Sequence, residues 1–462
     1  MSQTELHTSS TTDLGLRRRR AIRGAFFGFL VDSFDIFLPS VALLPAMIYF
    51  TSGLSPAGTA LVTGVTLAAT LIGRPVGSIL FGYFSDRLSR KTTGAIAIYG
   101  FSIVTLIIAI LPGAQFIGAP AAITLLLVLR FVDGVFLGGE YTAATPMAIE
   151  YAKVERRGLV GGVIQSSSTI GYWFIAVFTF ISLQIAPASD IDSPYVQWGW
   201  RIPFVIGAIL AFVTARFLRR NVEDSVVWEN AQHVANPLKA LFTNKANLVA
   251  FILVFVMMNG VFFMTSLVGS VLPQLVIAQK GFTPNTYTIV LIIANIIVPF
   301  AYILAGRLSD TFGRKPILLI AGVLVVIVMG AAFAVLGTQQ LGFAGTIAIV
   351  FVIEAINGFA IGTIPSFINE RFPTPVRSSG WGIGYSLAVV IPGFFAFYQL
   401  GLATFIPMQL TAAALTVLGG VLIIVGVALS PETRGADLTA ESMAHPRPAR
   451  RTKVVKESPA TT

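Results

Sequence analysis

Between Ile22 and Leu429 the chain is cut by short polar gaps into long apolar stretches, and that division limits its fold more than any motif does. A helix that crosses a bilayer needs about 20 mostly apolar residues. Such runs lie near 22–50, 57–84, 93–112, 120–149, 159–185 and 200–218, and again near 246–278, 285–308, 316–337, 343–368, 380–402 and 407–429. Hydrocarbon offers no hydrogen-bond partners, so a run of this length satisfies its own backbone as a helix. The reading is an all-α integral membrane protein with twelve transmembrane helices in two six-helix repeat halves, with the lipid bilayer as its partner. Only 11% of the residues are charged, against about 25% in a soluble domain, so the chain cannot dress itself in a water-compatible surface.

The few charges report orientation. The net charge is +10, but the basic residues fall in the gaps rather than on one helix or domain, which argues against nucleic acid as a partner. One set of gaps holds Arg87, Arg90, Lys91, Lys153, Arg156, Arg157, Arg219, Arg220, Lys239, Lys245, Arg314, Lys315, Arg371 and Arg377. The alternate gaps hold little beyond Lys280, with Asp190 and Asp192 in the longest. Basic loops stay in the cytoplasm, which places there both termini and the middle segment of a multi-pass protein of the inner (plasma) membrane. The expected division is a basic tail at 1–21, a first half at 22–218, a linker at 219–245, a second half at 246–430 and a disordered Pro- and Arg-rich tail at 431–462. The stretch after Arg17–Arg20 is too long for a signal peptide and contains two aspartates, so it reads as the first helix.

The two halves repeat each other. GYFSDRLSRK begins at Gly82 and GRLSDTFGRK at Gly306, an offset of 224 (306 − 82). RFVDGVFLG at Arg130 and EAINGFAIG at Glu354 keep that offset (354 − 130 = 224), and both copies run on into a glutamate (Glu150, Glu370) and an Arg…Gly turn. In the decamers, Gly82 and Gly306 let a neighbouring helix approach closely. Asp86 and Asp310 offer carboxylates suited to an opposing helix N-terminus or a basic partner. Arg87, Arg90, Lys91, Arg314 and Lys315 hold the loops at the anionic inner leaflet. Each decamer reads as a cytoplasmic latch that closes in one conformation and breaks in the other; the plainer reading is a set of topology-setting charges.

Six ionisable residues lie well inside helices: Asp32, Asp35, Arg130, Asp133, Glu140 and Glu354. Each costs about 2.5–3.5 kcal/mol at mid-membrane if unpaired, so they mark a functional pathway. Asp32 and Asp35 share one face of the first helix near the midplane and read as a proton site, or else as partners of an arginine elsewhere. Pro39 removes the N–H that would bond the Asp35 carbonyl and loosens that turn. Arg130 can pair with Asp133 or present its fork to a carboxylate. Asp133 and Glu140 share a stripe of the fourth helix, Gln165 reads as a cavity residue on the fifth, and Glu354 stands between a cavity role and a packing ion pair. The glycine pairs Gly134–Gly138 and Gly24–Gly28 read as close helix packing. Cysteine is absent, and the three histidines (His7, His233, His445) lie outside the twelve helices, so neither an enzyme's nucleophile nor a metal site is in view.

At these residues the chain resembles the major facilitator superfamily. Gly82, Asp86, Arg87, Arg90 and Lys91 fit its loop pattern G-x-x-x-D-R-x-x-R-K, Arg130, Gly134 and Gly138 its fourth-helix pattern, and PETRG at Pro431 its motif after helix 12. RPVG at Arg74, LGGEY at Leu137, Gln165 and WGWRIPF at Trp198 are similar to the metabolite:proton symporter group, while DSFD at Asp32 leans toward the aromatic-acid and sialate symporters. The resemblance implies a secondary transporter without a cofactor, working as a monomer on a small molecule and protons. It implies uptake by proton symport, with an organic carboxylate first among the substrates. Export by antiport, or uptake of a zwitterionic osmolyte or a sugar, is the alternative.

Overall fold

The computed structural model describes residues 3–438, apart from Asn230, Gln232, His233 and Thr283; the remainder of the predicted tail, with His445, lies outside the described residues. Eleven helices among the described residues are long and apolar enough to span a bilayer, and a bent pair makes the twelfth. They are α1 (Leu14–Ala46), α2 (Leu61–Arg87), α3 (Arg90–Ala109), α4 (Ala119–Tyr151), α5 (Val154–Ile185), α6 (Tyr195–Asn221), α7 (Lys245–Ile277), α8 (Ile289–Phe312), α9 (Arg314–Thr338), α10 (Phe343–Arg371), α11 (Thr374–Gly393 with Phe395–Leu402) and α12 (Met408–Ala428). The expected continuous helix at 380–402 is instead broken by 41° after Pro392–Gly393, where a missing N–H meets a residue without a side chain.

Large apolar side chains such as Leu61, Phe180, Phe300, Phe397 and Leu400 cover the outside of the bundle, as lipid requires. Within each half the crossings are set by glycine. Gly134 and Gly138 of α4 lie on the carbonyls of Thr70 and Arg74 in α2, so no side chain fits between them. Gly358 and Gly362 of α10 repeat this against Val298 and Tyr302 of α8. The halves meet where α2 packs on α11 and α5 on α8. Helix ends alternate, so both decamers, the linker and the start of α1 share one face, called here the decamer face.

The ends of the halves add detail to the sequence reading. The first helix begins at Gln3, which puts His7 in a helix ahead of the membrane span. The linker carries two short helices, Val226–Glu229 and Pro237–Thr243. The tail expected to be disordered from residue 431 is folded onto the decamer face as far as Leu438, with Ala436 and Leu438 buried against Val227.

Candidate functional site

Each decamer aspartate caps a helix of the opposite half. The Asp86 carboxylate accepts the backbone N–H groups of Ser378 (2.9 Å) and Ser379 (2.8 Å), where α11 begins. Asp310 accepts those of Gly158 and Leu159, both at 2.8 Å, at the start of α5. These amides have no partner in their own helix, and a carboxylate there also meets the positive end of the helix dipole. The glycines make the approach possible: a Cβ at Gly82 would stand 3.0 Å from the Ser379 Cα, and Gly306 lies directly on the Gly158 carbonyl.

Beside each cap sits a buried ion cluster that also crosses between halves. Glu150 ion-pairs with Arg90 of its own half and Arg377 of the other, all three side chains fully buried. Glu370 pairs with Arg314 at 3.1 Å and with Arg157 of the other half at 3.6 Å. A hydroxyl completes each cluster: Ser225 from the linker bonds Glu150, and Thr433 from the tail bonds Glu370 at 2.9 Å. The residue before each hydroxyl caps the next helix. Asp224 accepts Lys91 N–H at 2.9 Å, and Glu432 accepts Arg314 N–H at 2.9 Å and Lys315 N–H at 3.1 Å. Asp224–Ser225 and Glu432–Thr433 therefore do the same work in the two halves. Of the remaining predicted residues, Arg87 stays on its own helix over Tyr83, and the Lys315 ammonium donates to the carbonyls of Ala428, the last residue of α12, and of Ser430 just beyond it.

Inside the membrane the helix-1 acids separate. Asp35 accepts a hydrogen bond from Thr105 Oγ1 on α3 (2.5 Å) and pairs with Arg130 at 3.4 Å. Arg130 also pairs with Asp133 at 3.0 Å, and its guanidinium lies 5.1 Å from the centre of the Phe204 ring on α6. All these partners belong to the first half, and Arg130 is fully buried, so its fork is enclosed by its own half rather than offered between the halves. Asp32 instead pairs with Arg74 of α2 at 3.5 Å. Glu140 is fully buried over Gly28, and neither of its oxygens has a hydrogen-bond partner among the described residues. Gly28 thus makes room for a carboxyl group rather than for a helix backbone. Gln165 is buried on α5, and its backbone carbonyl accepts the Ser168 hydroxyl at 2.9 Å. Glu354 is buried on α10 beside Asn357 and forms no ion pair among the described residues.

Sequence reasoning offered both decamer aspartates to an opposing helix N-terminus or a basic partner, but did not assemble the ion clusters beside them. Glu150, Glu370, Arg157 and Arg377 carried a signal in the repeat, where the offset tightens from 224 to 220 (370 − 150; 377 − 157). Arg74 carried a signal in the RPVG string, but nothing there pointed to Asp32 as its partner.

A profile of the Major Facilitator Superfamily matches residues 25–383. The inner membrane metabolite transport protein YhjE of Escherichia coli K12 is 28% identical over 393 residues, covering 82% of this chain and 87% of the relative. The alpha-ketoglutarate permease of the same strain is 33% identical over 400 residues, covering 85% and 88%. Among solved structures, the proton:xylose symporter XylE of E. coli bound to 6-bromo-6-deoxy-D-glucose superposes with a TM-score of 0.75 at 19% identity, over 92% of this chain and 98% of that one. With twelve spans in two repeated halves and a match over most of its length, this chain belongs to the major facilitator superfamily, as a membrane transporter and not an enzyme.

Proposed function

We propose that the protein takes up a small organic metabolite, a carboxylate in particular, together with protons, by alternating access across the inner membrane. The observation that carries this reading is the cluster Asp35–Arg130–Asp133, sealed in the first half. Two carboxylates and one guanidinium are neutral only with one proton aboard, and a net charge at this depth resists the move between states. Asp32 and Glu140, one helix turn or more toward the decamer face, are the next proton stations. Because Arg130 is enclosed within its own half, the substrate carboxylate falls to Arg74, the other guanidinium deep in the first half, whose pairing with Asp32 a proton would weaken. Gradient-driven uptake in proteoliposomes tests the reading: accumulation of an organic acid that collapses with a protonophore supports symport, and uptake indifferent to the proton gradient refutes it.

The decamer face is cytoplasmic in this reading, because the basic residues gather there. Single cysteines at Ser189 and Ala235 test it cleanly, since the native chain has none. An impermeant thiol reagent outside whole cells is expected to label Ser189→Cys and spare Ala235→Cys; the reverse pattern inverts the topology.

With that face closed, opening it must release four capped amides and two cross-half arginine bridges. Asp86→Asn keeps one acceptor and loses the charge, which weakens charge-assisted hydrogen bonds worth about 1.5–3 kcal/mol each. The variant should favour the state open at the decamer face by about tenfold or more, with uphill transport reduced and binding retained. Wild-type uphill transport in both Asp86→Asn and Asp310→Asn would remove the latch from the mechanism.

A further inference from the structure

We propose that Glu354 is the receptor for a protonated amine on the substrate, so that the transported carboxylate is a zwitterion. This rests on the transport reading above and narrows it. The repeat supplies the first argument. Positions 35, 130 and 133 of the first half fall on 259, 354 and 357 of the second at the common offset of 224 (259 − 35; 354 − 130; 357 − 133). Asp–Arg–Asp becomes Asn–Glu–Asn. The first half thus brings its own cation to its acids, whereas the second places a carboxylate between two amides and brings none.

The surroundings of Glu354 bear this out. Its residue is 4% exposed, and no Lys or Arg pairs with it among the described residues. Its helix, α10, packs on α5 of the first half as well as on α8 of its own, so it stands at the seam where a carrier holds its substrate. Phe37, two residues past Asp35, meets Tyr172 edge-on at 4.9 Å, which adds aromatic surface beside the acid. Spare acceptors occupy the other two corresponding positions of the repeat. Asn357 follows Glu354 by three residues on α10, and its Oδ1 is buried without a donor among the described residues. Asn259 donates to the Phe255 carbonyl at 2.8 Å, and its Oδ1 is likewise without a donor. A buried carboxylate without a cation, on the same helix as an amide oxygen that lacks a donor, calls for a group that brings both positive charge and N–H bonds, which an ammonium does. Rings nearby favour a cation over an anion. A second carboxylate on the substrate would meet Glu354 with like charge.

The test uses the purified full chain and a matched panel: proline and the other small neutral amino acids against nitrogen-free acids of similar shape, with cyclopentanecarboxylate and α-ketoglutarate among them. Binding is read by thermal shift, and uptake in proteoliposomes. We expect a zwitterion to bind and the nitrogen-free acids to fail. Glu354→Gln should weaken zwitterion binding by about tenfold or more, and Glu354→Asp by less. An unchanged unfolding temperature without ligand shows that each variant is folded. Three results overturn the inference: no zwitterion binds, a nitrogen-free acid binds as tightly, or Glu354→Gln binds the zwitterion like wild type. The last of these, with accumulation lost, would make Glu354 a proton carrier. Proton-driven uptake of a nitrogen-free acid sinks the amine receptor and leaves symport intact. Zwitterion binding through Glu354 without proton-driven accumulation sinks symport and leaves the receptor.

Discussion

Asp35→Asn is expected to abolish proton-driven accumulation while leaving exchange of substrate across the membrane. Asn keeps the shape of the carboxyl and can still accept the Thr105 hydroxyl, but it stands permanently for the protonated form. Arg130 then has one anionic partner, Asp133, and the cluster is neutral in every state. A neutral cluster can reorient with substrate bound, so counterflow continues. It no longer gains and loses charge in each cycle, so a proton gradient has nothing to act on and the accumulation ratio falls to one. Local structure favours Asp35 for this role. Four residues on, Pro39 opens a π-helical turn at Pro39–Leu43, which relaxes the helix next to the acid and gives it room to change partners. Measuring counterflow and gradient-driven uptake side by side decides the matter. Full accumulation in the variant would move the proton site to Asp133, Asp32 or Glu140.

Glu150→Gln should have the largest effect on the closed state. The change leaves Arg377 without its anion and Arg90 with Asp86 alone, at 3.8 Å, in a site sealed from water. Removing one partner of a buried ion pair costs about 3–5 kcal/mol. Because Arg377 belongs to the other half, most of that penalty is relieved by letting the halves part at the decamer face. A cysteine at Ser379, fully buried beneath Asp86, reports the parting. It should be silent to thiol reagents in the wild-type background and label rapidly with Glu150→Gln. Equal protection in both backgrounds would mean that the cross-half bridge does not hold the gate. Adding Arg377→Gln removes the stranded charge and should restore part of the protection, which separates gating from misfolding.

How much of this was legible in the sequence depends on whether a feature is local. The spans were legible because length and apolarity are local; the decamer aspartates were legible as acceptors for a helix N-terminus or a basic group, and they meet both, the opposing helix and the arginine one turn on. The partners of Glu150 and Glu370 were not, because Arg377 and Arg157 reach them only when the halves dock. The same holds for Ser225 and Thr433, which complete the clusters from segments outside the repeat. Asp32 and Asp35 read as one pair because they are three residues apart. Three residues leave about 60° between two side chains on a helix, enough here to send one to Arg74 on α2 and the other to Thr105 and Arg130 on α3 and α4. The enclosure of Arg130 was equally hidden. Its sequence position gives its depth in the membrane but not that Phe204 of α6 covers it.

Proton movement driven by substrate alone tests the central claim most directly. Wild-type protein is placed in liposomes that hold a pH-sensitive dye, with no gradient imposed and the membrane potential clamped. A zwitterion or organic acid that binds the protein is then added outside. Coupled uptake predicts acidification of the lumen that tracks substrate entry, is absent from liposomes carrying Asp35→Asn, and stops when a protonophore is present. Substrate entry with no change in lumenal pH, or with alkalinisation, would contradict symport.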